Sequence, residues 1–97
     1  MLKGNQKRYL KGLANGISQR YLLGKGEIDE AFLKQIDAAL EAKELIKVGL
    51  LPSCSLTSKE AGSVLAEKTG AELVQTIGKV AVLYRKSSKL PKIVLPE

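Results

Sequence analysis

The chain has 97 residues, of which 44% are hydrophobic, and a formal net charge of +6. This length allows one modest hydrophobic core, so two independent domains are excluded. The chain has no His, no Trp and a single Cys, which excludes a zinc site built from His and Cys, a His-based catalytic triad and an internal disulfide framework. We therefore expect no metal, no cofactor and no small-molecule substrate.

Hydropathy predicts that the protein stays out of the membrane. No apolar run approaches the ~20 residues that a helix needs to cross a bilayer. Residues 1–8 are polar and basic and lead into an amphipathic segment, without the apolar stretch of a secretory signal. We expect a cytoplasmic protein with no membrane partner.

Charge is distributed unevenly along the chain. Residues 1–26 carry a net charge of +6, residues 27–44 carry −4, residues 45–72 are balanced and residues 73–97 carry +4. If the two basic ends meet in the fold, they form a basic face that attracts a polyanion. The alternative is an ordinary solvated surface that is rich in lysine.

The first predicted element is an amphipathic helix over residues 5–16, with Gly16 as its C-terminal stop. Its apolar residues recur at helical spacing and predict a buried stripe. These residues are Leu10, Leu13, Ala14 and Ile17. Arg8 and Lys11 fall on another side of the helix, with Lys7 at the border, where they are either solvated or in contact with phosphates.

A short strand over 19–23 follows, then a glycine-containing loop over 24–27 and a strong helix over 29–43 with Asp29 as its N-cap. Beyond it, a near-continuous apolar run over 45–51 predicts a strand that is covered on both faces. The remaining elements are a helix over 57–69 that opens with a Thr57–Glu60 capping box, and strands over 71–77 and 80–85 joined by a Gly78-Lys79 turn.

The order of elements, α-β-α-β-α-β-β, predicts an α/β fold with a mixed four-stranded sheet. Two strand–helix–strand units favour parallel pairing with right-handed crossovers, and the final hairpin adds an antiparallel strand. We place a single domain over residues 1–86. Residues 87–97 are expected to form a loose basic tail containing prolines, with room for a short edge strand over 93–95.

The loop Gly24-Lys25-Gly26 is the candidate site, because it joins the end of a strand to the start of a helix. Glycines allow a ligand to approach the backbone closely, and a helix N-terminus offers unpaired N–H groups to phosphate. An ordinary turn explains the same residues. The spacing matches neither a P-loop nor a dinucleotide-binding fingerprint.

Several segments together resemble one known family, the YhbY family, which is the stand-alone bacterial form of the CRM RNA-binding domain. They follow one another without large insertions and span nearly the whole chain. The segments are residues 6–10, 23–26, 36–48, 69–79 and 82–85. The resemblance implies an α/β fold akin to the C-terminal domain of bacterial translation initiation factor three.

The same resemblance implies RNA binding, association with large-subunit ribosomal RNA or pre-ribosomal particles, and a role in ribosome assembly. The family's loop is typically G-x-x-G and is compared with the loop of KH domains. Here Glu27 stands at the fourth position, where its carboxylate would repel phosphate. The implied RNA-binding residues are Gly24, Lys25 and Gly26 of the loop, Lys7, Arg8 and Lys11 of the first helix, and Arg20 on the strand entering the loop.

Two other hypotheses compete with RNA binding in ribosome assembly. One is a protein-interaction module that docks an acidic ribosomal or assembly partner without RNA specificity. The other is a small enzyme, which the sequence disfavours, because Asp29 and Glu30 are accompanied by no His, no paired metal ligands and no activated nucleophile. We therefore expect a protein that is not an enzyme.

Overall fold

The computed structural model describes residues 2–24, 28–89 and 91–96. Its helices and strands alternate in the predicted order, and the predicted α/β fold with a mixed four-stranded sheet is confirmed. The elements are α1 (Gly4–Ala14), β1 (Tyr21–Leu23), α2 (Glu30–Lys43), β2 (Leu45–Leu50), α3 (Ser58–Thr69), β3 (Glu72–Ile77) and β4 (Val80–Tyr84).

The strand order in the sheet is β1-β2-β4-β3. β1 and β2 are parallel, as predicted, and β4 is antiparallel to both of its neighbours. The predicted parallel pairing of β2 with β3 is wrong, because β4 lies between these two strands. The reason is burial: Ala81, Val82 and Leu83 are fully buried, whereas β3 contains the polar residues Gln75 and Thr76, which suit an edge strand.

Local sequence signals set the helix ends. The Asp29 carboxylate accepts a hydrogen bond from the Phe32 N–H at 2.8 Å, which caps α2 as predicted. The predicted Thr57–Glu60 capping box is also formed, with both reciprocal hydrogen bonds in place. α1 ends at Ala14, two residues before the predicted stop, and Asn15 is its C-cap.

The two faces of the sheet bury separate cores. α2 and α3 cover one face, where they pack on alternate β2 residues such as Ile46 and Val48. α1 covers part of the other face, where Leu10 and Ala14 pack against Leu45. β2 is therefore buried along nearly its whole length, as its continuous apolar run predicts.

The described part of the C-terminal segment lies on the same face as α1. Ile93 and Leu95 pack against the core beneath α1, and no strand forms over 93–95. The side-chain amide of Gln6 donates a hydrogen bond to the Pro96 carbonyl at 3.0 Å, which joins this segment to α1 itself. These residues therefore help to cover the sheet.

Candidate nucleic-acid interface

The predicted cations of α1 point away from the core. Arg8 and Lys11 are exposed and Lys7 is half-buried, while Leu10 and Ala14 of the same helix are buried. Arg20 is exposed on the segment that enters β1. Within the part of the chain that the structure describes, no carboxylate lies within ion-pair distance of these four cations.

The half of the sheet face that α1 leaves open presents a row of side chains across all four strands. The pairing register places Leu22 opposite Gly49, Gly49 opposite Val80, and Val80 opposite Ile77. Leu22 and Ile77, at the two ends of the row, are 58% and 56% exposed. The row therefore forms an open apolar strip beside α1.

Gly49 fixes where Arg20 lies. A Cβ atom at residue 49 would stand 3.3 Å from a methyl carbon of Leu22 and 3.4 Å from the Cδ of Arg20. The missing side chain therefore makes room for the aliphatic part of Arg20 to lie across β2, a common arrangement for a long cationic side chain. The sequence alone places Arg20 near the loop but gives no sign of this contact.

Gly24 marks the point where the predicted loop leaves the sheet. The Leu51 N–H donates to the carbonyl of Leu23 at 2.9 Å, so the chain is still held against β2 one residue before Gly24. Gly24 is half-buried, and a Cβ there would stand 3.2 Å from a methyl carbon of Leu51. Arg20, Leu22 and Gly24 thus follow one another along β1 and its flanks. The predicted site residues Lys25 and Gly26, and Glu27 after them, lie outside the described residues.

Three further cations, Lys47, Lys79 and Arg85, lie in different parts of the fold. The Lys47 ammonium donates to the Ile17 carbonyl at 2.9 Å, on the same face as α1. Lys79 is exposed in the turn between β3 and β4. The Arg85 guanidinium is turned toward the opposite side, where it pairs with Asp37 and donates to the Thr69 carbonyl at 2.8 Å.

The tyrosines also separate by environment. Tyr84 is buried in the core beneath α1, and Tyr21 is half-buried against the other core. Burial and the nearby Glu44 carboxylate raise the pKa of Tyr84. Tyr9, on α1, is 43% exposed.

Carboxylates of α2 and its C-cap are engaged by the C-terminal segment. Hydrogen bonds from the hydroxyl and N–H of Ser88 hold the pKa of the Glu41 carboxyl below its ordinary value. Burial would raise the pKa of Glu44, but the N–H groups of Ser87, Ile93 and Lys92 donate to its carboxylate, and its pKa is lowered overall. Glu41 and Glu44 thus hold the C-terminal segment against the end of α2.

Other kinds of site receive little support from the described residues. No group of three or more His, Cys, Asp or Glu side chains is placed to hold a metal ion in residues 2–24, 28–89 and 91–96. In the same residues, every helix is too short or too polar to span a membrane. Cys54 is a buried free thiol.

Comparison with known proteins identifies relatives that match along the whole chain. "Probable RNA-binding protein YqeI" of Bacillus subtilis is 41% identical over 96 residues, which cover 99% of this chain and 100% of that protein. A Haemophilus influenzae protein named "RNA-binding protein" is 39% identical over 95 residues, which cover 98% of this chain and 95% of the relative.

A solved structure shares the fold. The solution structure of SAV1595 from Staphylococcus aureus matches with a TM-score of 0.73 and 44% sequence identity, covering 99% of this chain and 100% of that one. The sequence model of the family described as the CRS1 / YhbY (CRM) domain matches residues 2–85. The chain therefore belongs to the CRS1/YhbY (CRM) domain family.

Proposed function

We propose that this protein binds RNA through the surface formed by α1, β1 and the loop that begins at Gly24. The observation that carries the proposal is the set of four exposed or half-buried cations, Lys7, Arg8, Lys11 and Arg20, that lack acidic partners within the described residues. The names of two relatives, which describe RNA-binding proteins, support the same function.

The finer proposal is that the bound RNA is large-subunit ribosomal RNA, in free form or in pre-ribosomal particles. Binding would be largely electrostatic, with α1 and Arg20 contacting phosphates and the loop residues Gly24, Lys25 and Gly26 approaching the backbone. Recognition of RNA by shape and backbone contact, with modest base selectivity, is common among small RNA-binding modules.

Charge reversal tests the proposed surface. We expect Arg8→Glu and Arg20→Glu each to weaken binding of ribosomal RNA fragments about tenfold, because each loses a phosphate contact and adds repulsion. Lys59→Glu is the matched control, since Lys59 is an exposed lysine at the start of α3, a helix on the opposite face. Equal affinities for all three variants, measured by fluorescence anisotropy, would contradict the proposed surface.

Salt dependence tests the mechanism of binding. For single-stranded RNA, each neutralised phosphate contributes about −0.7 to the slope of log K against log salt. We expect a steep slope for the wild type and a shallower one for Arg8→Glu. A flat response would show that phosphate contacts do not drive binding.

A protein-docking function has one observation in its favour, the exposed apolar row that ends at Leu22 and Ile77. Nuclease treatment separates the two functions. Ribosomal proteins captured by the tagged chain should be lost after RNA is digested if RNA carries the interaction. Retention after digestion would favour direct docking to protein.

A further inference from the structure

A cavity of about 410 Å³ opens between the end of α1 and the first residues of β1 and β2. Its volume falls in the usual range of ligand pockets, roughly 300–1,000 Å³. Gln19 and Lys43 line part of the cavity, and its other walls are mostly apolar. They are formed by Leu13, Ile17, Tyr21, Leu45, Ile46 and Ile93.

The cavity exists because β1 is shorter than β2. β1 begins at Tyr21, which lies opposite Val48, so the first residues of β2 have no strand on that side. The chain before Tyr21 diverges from β2, with Ile17 on one wall of the cavity and Leu45 on the other. The gap is therefore part of the sheet's construction.

The β2 backbone turns a hydrogen-bonding edge toward this gap. The Arg85 N–H donates to the Glu44 carbonyl and the Leu50 N–H donates to the Lys79 carbonyl, so the hydrogen bonds on the β4 side involve the even-numbered residues of this stretch. The pair of Leu45 with Tyr84 is then of the type that does not exchange hydrogen bonds. The N–H and C=O of Leu45 therefore point away from β4, toward the side that β1 leaves open.

The rim of the cavity is polar and positively charged. The Lys43 ammonium donates to the Gln19 side-chain carbonyl at 2.7 Å and lies 5.8 Å from the centre of the Tyr21 ring. Two other lysines contact residues at or next to the lining: Lys47 donates to the carbonyl of Ile17, and Lys92 donates to the carbonyl of Ala42, next to Lys43, at 3.4 Å.

Among the described residues, no carboxylate forms an ion pair with Lys43, Lys47 or Lys92. Glu44 is fully buried and its carboxylate accepts three backbone N–H bonds from the C-terminal segment. Glu41 is engaged by Ser88 and lies near the Arg85 guanidinium. An apolar interior beneath a cationic rim fits a ligand with a flat apolar ring and an attached anion.

From this geometry we infer that the cavity binds one unstacked nucleobase of the RNA, a step that rests on the proposed function. The base lies among the apolar walls beside Tyr21, and the backbone of Leu45 and the amide of Gln19 meet its polar edge. Its phosphate lies at the Lys43 ammonium. RNA-binding proteins commonly take up bases that are splayed out of single-stranded loops in this manner.

A titration with adenosine 5′-monophosphate tests the cavity directly. We expect the methyl NMR signals of Leu13, Ile17 and Ile93 to shift with this nucleotide and to stay in place with ribose 5-phosphate, which lacks the base. Equal shifts with both compounds would identify a simple anion site and overturn the inference. Unmoved methyl signals with both compounds would overturn it as well.

RNA binding by variants provides the second arm. Leu13→Trp fills the cavity, and Val64→Trp is its matched control, because Leu13 and Val64 are 38% and 37% exposed on different helices. Lys43→Met removes the rim charge, and Lys34→Met does the same elsewhere on α2. We expect about tenfold weaker binding of single-stranded RNA for the first member of each pair, because Leu13→Trp excludes one base and Lys43→Met loses one phosphate contact, and less than twofold for the controls.

The results separate failure of this inference from failure of the proposed function. Unchanged RNA affinity in Leu13→Trp and Lys43→Met, with a wild type that binds RNA, overturns the cavity and leaves RNA binding intact. Absence of RNA binding by the wild type overturns the proposed function, and the nucleotide titration still decides the cavity. If Leu13→Trp fails to fold, the nucleotide titration decides whether the base is bound, and Lys43→Met against Lys34→Met decides whether the rim charge contributes to RNA binding.

Discussion

Charged residues behave differently in two regions of this molecule. Around the C-terminal end of α2, Glu41, Glu44 and Arg85 bond within the fold: Glu44 accepts backbone N–H groups, Glu41 accepts from Ser88, and Arg85 joins α2 to the end of α3. On α1 and at the start of β1, the cations project into solvent, away from the described carboxylates. The charges in the first region stabilise the fold, whereas the cations in the second region are free to bind an external polyanion.

This difference predicts that substitutions in the two regions affect different measurements. Changes at Glu44 and Arg85 should alter the free energy of unfolding and leave RNA affinity intact. Changes on α1 and β1 should do the opposite, because a solvated cation contributes little to stability. The predictions that follow test this separation, beginning with the largest expected effect on stability.

Glu44→Gln should produce the largest loss of stability. The Glu44 carboxylate is fully buried, and the N–H groups of Ser87, Lys92 and Ile93 donate to its two oxygens. A neutral amide has one acceptor oxygen, so at least one buried N–H loses its partner. We expect a destabilisation of about 2–3 kcal/mol, measured by urea unfolding.

Glu67→Gln is the control for this change, because Glu67 is exposed on α3. It should change the free energy of unfolding by less than about 0.5 kcal/mol. If Glu44→Gln and the control unfold at the same urea concentration, the buried carboxylate does not anchor the C-terminal segment. RNA affinity below the unfolding transition should match that of the wild type.

Arg85→Gln should have the next largest effect on stability. Its guanidinium pairs with Asp37 and donates to the carbonyls of Thr69 and Asp37, at 2.8 and 3.1 Å. Because these partners lie on α2 and at the end of α3, the loss should loosen the packing of both helices on β4. We expect about 1–2 kcal/mol of destabilisation in urea.

RNA affinity provides the contrasting measurement for Arg85→Gln. The substitution removes one positive charge, as Arg20→Gln does, yet only Arg20→Gln should weaken RNA binding severalfold. Comparable losses of RNA affinity for both variants would show that net charge alone governs binding, and would remove the distinction between the two regions.

Acid should weaken the C-terminal region through the same carboxylate. The pKa of Glu44 in the folded protein lies below its ordinary value of 4.5. Its charged form therefore contributes stability above about pH 4.5, and this contribution disappears as the pH falls through the lowered pKa. Urea unfolding at pH 7 and at pH 3–4 should show the decline.

The Glu44→Gln variant isolates this contribution, because Glu41 and Glu60 also have lowered pKa values. The variant should lose less stability on acidification than the wild type. The difference should be smaller than the effect of the substitution at pH 7, since protonation leaves both oxygens in place. Identical pH dependence in the two proteins would argue against Glu44 as the titrating group.

The fold was largely predictable because its signals are local. The Asp29 cap, the Thr57–Glu60 box and the turn at Gly78 each depend on residues within four positions of one another. By contrast, the place of β4 between β2 and β3 depends on pairing across more than thirty residues, and local patterns are consistent with either strand order.

The role of Glu44 illustrates a second limit. Its backbone has a positive φ of 68° at the C-cap of α2, a position that usually favours glycine. Its hydrogen-bond partners lie 43 to 49 residues further along the chain. In the sequence, Glu44 is one of several acidic residues in this segment. Only the tertiary structure shows that it accepts hydrogen bonds from the C-terminal segment.

The candidate site was predicted in part for a similar reason. Exposure of Arg8 and Lys11 follows from helical periodicity, which places them away from Leu10 and Ala14. The contact of Arg20 with Gly49 depends on the parallel register of β1 and β2. No property of residue 49 in the sequence indicates that it makes room for a side chain from another strand.

Gly49→Ala should therefore change RNA binding with little effect on stability. The new methyl group would stand 3.3 Å from Leu22 and 3.4 Å from Arg20, contacts that the ends of two flexible side chains can relieve by moving. We expect a stability change below about 1 kcal/mol, because strain and the gain in strand propensity oppose each other.

Displacing Arg20 should weaken RNA binding about two- to fivefold, because part of one phosphate contact is lost. Ser63→Ala is the control, since Ser63 is exposed on α3, away from α1 and β1, and its RNA affinity should equal that of the wild type. If Gly49→Ala also binds RNA with unchanged affinity while Arg20→Gln is impaired, then Arg20 reaches RNA without the support of β2.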